Sequence, residues 1–422
     1  MNTSEFVKDL NVQYFNGELS PKFQAKLERL PIDRPDVFAF IQRMFGWISS
    51  SGLPAKDMSL LQADIFGTLL ARILPGAWEG KVPPITIQGR HAVIDQYVKS
   101  NSWLASEGKE MLDIGCGFPP FTTLETAGFL DDWKITGADP SLPAYLIFDS
   151  DGNYATLDED KSTVYFQPAI PSIENWNKLL TDSNATRTRF ENLLEELLNN
   201  PSGEDYPSLK LNPIKSYETE QLTFLKGGIG QIDITPKDVI RCFNVLYYFD
   251  DAFLEKALEW FAQKTKEGGI VLIGGDWAGS TECYYHVYQK NGNQLVNREF
   301  AFSIDCLCPM GIVTWYSNHA DDRQKAELVK YISIIRKDPE FMNTFYAFHD
   351  DQRKNYDLCP RDSEGYYGGV DPAVPPQILW TNASNILKEL NEEGLNQLAV
   401  DVLRRAGFTA RVNEVGHIAV AP

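Results

Sequence analysis

Leu112-Asp113-Ile114-Gly115-Cys116-Gly117-Phe118-Pro119-Pro120 is the run that decides the fold. Met111 to Ile114 reads as a short apolar strand that ends at Gly115, and a helix-compatible segment, 122–129, follows. Glycines at such a turn let the backbone approach a ligand closely. The N-terminus of the following helix offers unpaired N–H groups to a polar ligand. Trp133 to Ala138 reads as a second strand ending at Asp139-Pro140, and Asp139 comes 22 residues after Gly117. A carboxylate there accepts both hydroxyls of a ribose. The combination predicts a nucleoside site at the carboxyl edge of a parallel sheet.

The same residues argue against a dinucleotide. That fingerprint places Gly or Ala three residues after its second Gly, where helix packs on strand. This chain has Pro120 there. Asp113 also puts a negative charge near the expected phosphates and suits a cationic amino-acid group instead.

Outward from this run, Asp238 to Leu246 reads as a buried strand with Asn244 at its mouth. Residues 251–266 read as a helix stopped by Gly268-Gly269, and Ile270 to Ile273 as the next strand. Apolar strands that alternate with helices predict a parallel sheet covered on both faces. Leu395 to Arg405 reads as a helix, leaving through Ala406-Gly407-Phe408 into two short strands, 410–412 and 417–420.

In this order the motifs resemble those of class I (Rossmann-like) S-adenosylmethionine-dependent methyltransferases, over about 111–143, 225–280 and 395–420. Asp113, Gly115 and Gly117 match the family's Asp/Glu-x-Gly-x-Gly-x-Gly run, and Pro119 departs from its last Gly. The resemblance implies an α/β fold: a seven-stranded sheet of parallel strands with a C-terminal antiparallel hairpin. It implies S-adenosylmethionine as cofactor, with Asp113, Gly115, Cys116, Gly117, Asp139, Pro140 and Asn244 at its site. Asp233 and Ile234 are the candidates for the adenine contact. Two alternatives stay open: a non-catalytic or regulatory protein that binds the cofactor, and a nucleotide-cofactor oxidoreductase.

The expected organisation is a helical N-terminal cap (1–108), core (109–144), a β-meander and helical insertion (145–220), core (221–280), a substrate-cap insertion with a β hairpin (281–394) and closing core elements (395–422). In the first part, Val37, Phe40, Ile41, Met44 and Ile48 form a helical stripe, and Leu61, Ile65, Leu69 and Ile73 another. Asp149-Ser150-Asp151-Gly152-Asn153 reads as a hairpin turn rather than a calcium loop, because Tyr154 takes the position that needs Gly. Residues 201–220 and 358–379 read as loop.

The insertions and cap exceed half the chain, which predicts a lidded site and a small or medium-sized molecule as acceptor, methylated on nitrogen or oxygen. Around the methyl group the candidates are Tyr247, Tyr248, Asp276, Trp277, Tyr284 and Trp315, with His286 and His319 as candidate bases. Aromatic walls stabilise a sulfonium by cation–π attraction.

Composition excludes other classes. Aromatics at 12% supply a core, which rules out disorder as the main state. A net charge of −19 argues against nucleic acid and anionic membrane surfaces. The most apolar run, 60–78, is broken by Asp64, Arg72 and Pro75, so no membrane span is expected. Six scattered Cys and five His predict no zinc site and a reducing cytoplasm. A homodimer stays open.

Overall fold

The computed structural model describes residues 3–73, 86–105, 109–170, 173–200, 206–371 and 373–422. Segment 74–85, with the far end of the apolar run and Pro75, lies outside the described residues. In chain order the elements are α1 (Thr3–Phe15), α2 (Pro21–Leu27), α3 (Pro35–Ser50), α4 (Leu60–Ile73), α5 (Ala92–Ser100), β1 (Glu110–Ile114), α6 (Phe121–Phe129), β2 (Lys134–Asp139), β3 (Tyr145–Phe148), β4 (Tyr154–Leu157), β5 (Thr163–Gln167), α7 (Ile173–Leu180), α8 (Ser183–Asn199), β6 (Ser208–Leu211), β7 (Leu222–Lys226), β8 (Lys237–Phe243), α9 (Asp251–Lys264), β9 (Thr265–Gly275), β10 (Tyr284–Asn291), β11 (Gln294–Phe302), α10 (Arg323–Arg336), α11 (Pro339–Asn355), α12 (Pro376–Glu392), α13 (Leu395–Arg405), β12 (Ala410–Val412) and β13 (Ile418–Val420). The chain is mixed α/β. Among the described residues no helix is long and apolar enough to cross a membrane.

The chain divides into two units. One holds Met1–Ile65, Gln88–Met111 and Ile234–Pro422; the other holds Phe66–Ile87 and Leu112–Asp233.

In the larger unit the strand order is β12-β13-β11-β10-β9-β8. β8 and β9 are parallel, with Phe243 opposite Gly274. Both are buried along most of their length, as their unbroken apolar runs predict. β10 turns back antiparallel on β9, with Tyr284 opposite Gly275, and β11 follows it. β13 then pairs with β11, not with β9. The 284–303 hairpin is therefore part of the main sheet and not of a separate cap. The unit carries six strands where the seven-strand pattern allots it four.

A second correction concerns Gly268-Gly269. They do not end α9 ahead of a fresh strand, because β9 already starts at Thr265 and runs through them. A Cβ on Gly269 would sit 2.7 Å from the Asp238 carbonyl oxygen, so glycine is what lets β9 lie against β8 there. The register shift between Lys237 and Val239 marks the same irregularity. Helix α12 occupies the end of the segment read as loop and beyond it; its Ala383, Ile386, Leu387 and Leu390 are buried.

The stripe on α3 is buried as expected, with Val37, Phe40, Ile41, Met44 and Ile48 joined by Phe45. Each such side chain contributes roughly 1.5–3 kcal/mol on burial. In the second stripe Leu61 is buried, while the side chains of Leu69 and Ile73 lie outside the described residues.

In the smaller unit, strands β1-β2-β7 are ordered side by side, and a second sheet is ordered β5-β4-β3-β6. β2 and β7 are parallel, with Asp139 opposite Lys226. β6 and β7 fall in or beside a stretch read as loop. Both are short, and β7 alternates between buried and exposed, so neither shows the unbroken apolar run of a central strand. The second sheet is antiparallel and packs Ile147, Leu157 and Phe166 against Trp176, Phe190 and Leu194 of α7 and α8. Its Asp149–Asn153 segment is a hairpin turn: the Asp149 carboxylate accepts from the backbone N–H groups of Asp151 and Asn153 at 3.0 and 2.9 Å. No cluster of metal-ligating side chains occurs among the described residues.

Candidate functional site

In the smaller unit, β1 delivers the chain to Gly115 and Gly117, with φ of 84° and 62°. Those values favour glycine, because a Cβ would clash with its own backbone. The Gly115 N–H donates to the Ala138 carbonyl at 2.8 Å, which ties the turn to the end of β2. The Gly117 N–H donates to Asp139 Oδ2 at 3.0 Å. The turn and the acid therefore meet directly.

The other Asp139 oxygen accepts from the Ser141 N–H at 2.8 Å and from the Ser141 hydroxyl. Burial pushes the Asp139 carboxyl above its usual range, while the Ser141 and Gly117 bonds pull it down. A carboxylate has about four acceptor positions. Three are filled among the described residues, so a ribose diol gains two bonds only if the Ser141 hydroxyl turns away.

Asp113 is buried and accepts from the Thr123 hydroxyl at 2.6 Å, fastening β1 to α6. Cys116 is buried and Pro140 is exposed. Gly227 and Gly228, at the end of β7, were not among the expected residues. The Gly227 N–H donates to the Asp139 carbonyl at 3.1 Å, and a Cβ on Gly228 would lie 3.8 Å from Pro140. Their signal is a glycine pair directly after an alternating strand. Asp233 lies on an exposed loop. The carbonyl of Ile234 accepts from Lys264 Nζ at 3.0 Å, at the close of α9 and ahead of β8. Ile234 thus stands at the N-terminal end of its strand, whereas ligands of such sheets collect at the carboxyl ends.

In the larger unit, the carboxyl ends of β8 and β9 carry a joined polar group. Asn244 Nδ2 donates to Asp276 Oδ1 at 2.9 Å, and the Asp276 N–H returns a bond to Asn244 Oδ1 at 3.2 Å. The Tyr247 hydroxyl donates to the same amide oxygen at 3.3 Å. His91 Nδ1 lies 2.8 Å from Asp276 Oδ2. Asn244 adopts φ of 59°, Ser280 58° and Glu282 51°, a concentration of left-handed backbone that costs energy and gathers at functional places. The buried Ser280 hydroxyl holds His91 from both sides, donating toward the Gly89 and Arg90 carbonyls and accepting from the Val93 N–H at 3.1 Å.

Tyr247, Tyr248 and Tyr316 form an aromatic wall with centroids 4.7–5.5 Å apart, extended by Phe40. Trp277 is half-buried and packs on Gly311, where a Cβ would come within 2.9 Å. Tyr284 is fully buried opposite Gly275; a Cβ on that glycine would stand 2.8 Å from its hydroxyl. Lys325 Nζ donates to Tyr284 Oη at 2.6 Å and lies 4.0 Å from that ring's centroid, and burial pushes the lysine down to about 7.

The structure does not bring the other candidates to this group. Trp315 is fully buried. His286 sits inside the sheet against α10, 3.4 Å from Glu327, and burial lowers it to about 4. His319 is half-buried, and its Nε2 lies 3.0 Å from the Tyr248 carbonyl, so it braces the tyrosine turn. His91, 185 residues from Asp276, carried no sequence signal beyond its place at the start of a helix.

Glu282 is also buried; its carboxylate accepts from the Gly311 N–H and lies 3.4 Å from the Thr314 hydroxyl. Burial and then the nearby Asp305 carboxylate push it up to about 8, and burial pushes Asp305 up to about 6. The folded chain therefore holds protons that the unfolded chain releases above its ordinary carboxylate range. Stability should fall as pH rises from about 5 to 7, by up to about 1.4 kcal/mol per unit for each such proton. Denaturant melts at pH 5, 6 and 7 should show this slope, and Glu282→Gln should flatten it. An equal slope in the variant would assign it elsewhere.

No protein-family model and no curated protein matches the chain. Solved structures do. Human N-acetylserotonin methyltransferase in complex with S-adenosylmethionine is similar at 14% identity over 62% of this chain and 55% of its own, with a TM-score of 0.23. A Clostridium acetobutylicum S-adenosylmethionine-dependent methyltransferase is similar at 13% identity over 50% and 63%, with a TM-score of 0.20. Coclaurine N-methyltransferase bound to N-methylheliamine and S-adenosylhomocysteine is similar at 10% identity over 99% and 97%, with a TM-score of 0.25. All three are methyltransferases. Likenesses at this level leave the functional reading to the chain's own residues.

Proposed function

We propose that this chain is a Rossmann-like S-adenosylmethionine-dependent methyltransferase that acts on a small or medium-sized molecule. The observation that supports this most is the Gly117 N–H bond to Asp139, within the Asp113-x-Gly115-x-Gly117 run at the carboxyl ends of β1 and β2. The residues fit the cofactor. Gly115 and Gly117 leave the turn without side chains, and Asp139 is a buried acceptor next to it. When bound, the cofactor supplies an electrophilic methyl group on a sulfonium.

The chain's own contribution is placement. Asp139 would hold the ribose once the Ser141 hydroxyl turns, and the Gly115–Gly117 backbone would lie against the adenosyl group. In the larger unit, the joined Asn244 and Asp276 form a polar group that would suit an acceptor, and Tyr247, Tyr248 and Trp277 are its candidate aromatic neighbours. Six buried free cysteines suit a reducing cytoplasm.

Calorimetry with S-adenosylhomocysteine against NAD tests the reading, with S-adenosylhomocysteine expected to bind and NAD not. Single-turnover transfer of labelled methyl into a metabolite extract then separates an enzyme from a protein that only binds. NAD binding without S-adenosylhomocysteine binding would overturn it.

A further inference from the structure

We propose that the group formed by His91, Asp276, Asn244 and Tyr247 takes an aromatic hydroxyl compound, a phenol, and that His91 removes its proton. Asp276 is 1% exposed, and a buried carboxylate is costly without a partner. Its one ion-pair partner among the described residues is His91. The Nδ1–H donates to Asp276, which leaves Nε2 as the acceptor edge of the ring. Asn244 fixes the second Asp276 oxygen and is itself fixed by Tyr247, so the carboxylate cannot rotate away from the imidazole.

The surroundings favour a phenol. Asn244, Tyr247, Tyr248 and Trp277 are half-buried, His91 is buried, and Tyr247 is joined to His91 through Asn244 and Asp276. Burial pushes the Tyr247 and Tyr248 phenols up, and the Arg90 guanidinium pulls against that rise, as it would for a bound phenol. An amine that arrives neutral needs no base, whereas a hydroxyl does. The O–H bond breaks, its proton goes to His91 Nε2 and its electron pair stays on oxygen. This proton removal is the step that the methyl-transfer reading, on which the proposal rests, requires of an oxygen acceptor. The imidazolium, steadied by Asp276, loses its proton to water.

The test uses the full chain and 4-nitrophenol, whose phenolate absorbs visible light, at a pH where the free probe is mostly phenol. Bound probe should show several-fold more phenolate than free probe. His91→Gln should remove that gain while S-adenosylhomocysteine affinity stays within about twofold. Asp276→Asn, which keeps shape, should bind the probe as phenol and serves if His91→Gln does not fold. Ser280→Ala should weaken the gain partially. Phenolate formation without S-adenosylhomocysteine binding would sink the methyl-transfer reading and leave this one standing. Probe that does not bind, that binds as phenol in the native chain, or that ionises equally in both variants, overturns the inference.

Discussion

Asp139→Ala should abolish measurable S-adenosylhomocysteine binding, with a loss of roughly 10²–10⁴ in affinity. The size follows from two hydrogen bonds between a carboxylate and ribose hydroxyls, each worth about 1.5–3 kcal/mol. The substitution also strands the Gly117 and Ser141 N–H groups, both of which Asp139 accepts. Asp139→Asn keeps the shape and one acceptor oxygen and should recover stability more than affinity. Gly117→Val makes the same point from the other side: a β-branched residue at φ of 62° is strained and fills the turn. Calorimetry beside thermal unfolding checks the set. Native-like affinity in Asp139→Ala would remove this acid from the site.

Asp57→Ala should destabilise the larger unit by about 3–5 kcal/mol. Asp57 is 2% exposed and receives Arg336 Nη2 and Arg361 Nη2, each at 2.9 Å, together with the Tyr346 hydroxyl. Removing it leaves two guanidiniums without their shared counter-charge. Arg361 keeps Asp350 at 2.7 Å, while Arg336 is 4% exposed and retains only neutral oxygens among the described residues. The cluster joins the turn at 55–57 to α10, α11 and the following loop, so the expected readout is a melting temperature lower by on the order of 5–10 °C. Asp57→Asn should fall between. A variant that melts like the native chain would show that the two arginines find other partners.

The fold was most legible where the chain is both apolar and local. β8, the buried part of β9 and the α13 boundaries follow from unbroken runs and from a glycine placed just past a helix. The turn at Gly115–Gly117 and the acid at Asp139 were legible because glycines and one carboxylate at fixed spacing have few other uses. β7 was not, since a half-exposed five-residue strand has no strong period. The His91–Asp276 pair was not either. Pairing between distant polar residues leaves no pattern along a chain, and both are buried as ordinary core would be. His286 and His319 stood out by their aromatic neighbours, yet one is packed into the sheet and the other braces a turn.

The place of β10 and β11 bears on how the chain reaches its final form. Because β13 meets the rest of its sheet through β11, with Ile418 opposite Phe302, the last strands have no surface to join until the hairpin is in place. A chain emerging from the ribosome can assemble β8, β9 and the hairpin in sequence, but must hold the outer edge of β11 open while α10 to α13 are made. That exposed rim is where a newly made chain is most open to mispairing with a neighbour. The outer edge of β11 is thus closed only by residues 410–420, which follow it in the chain.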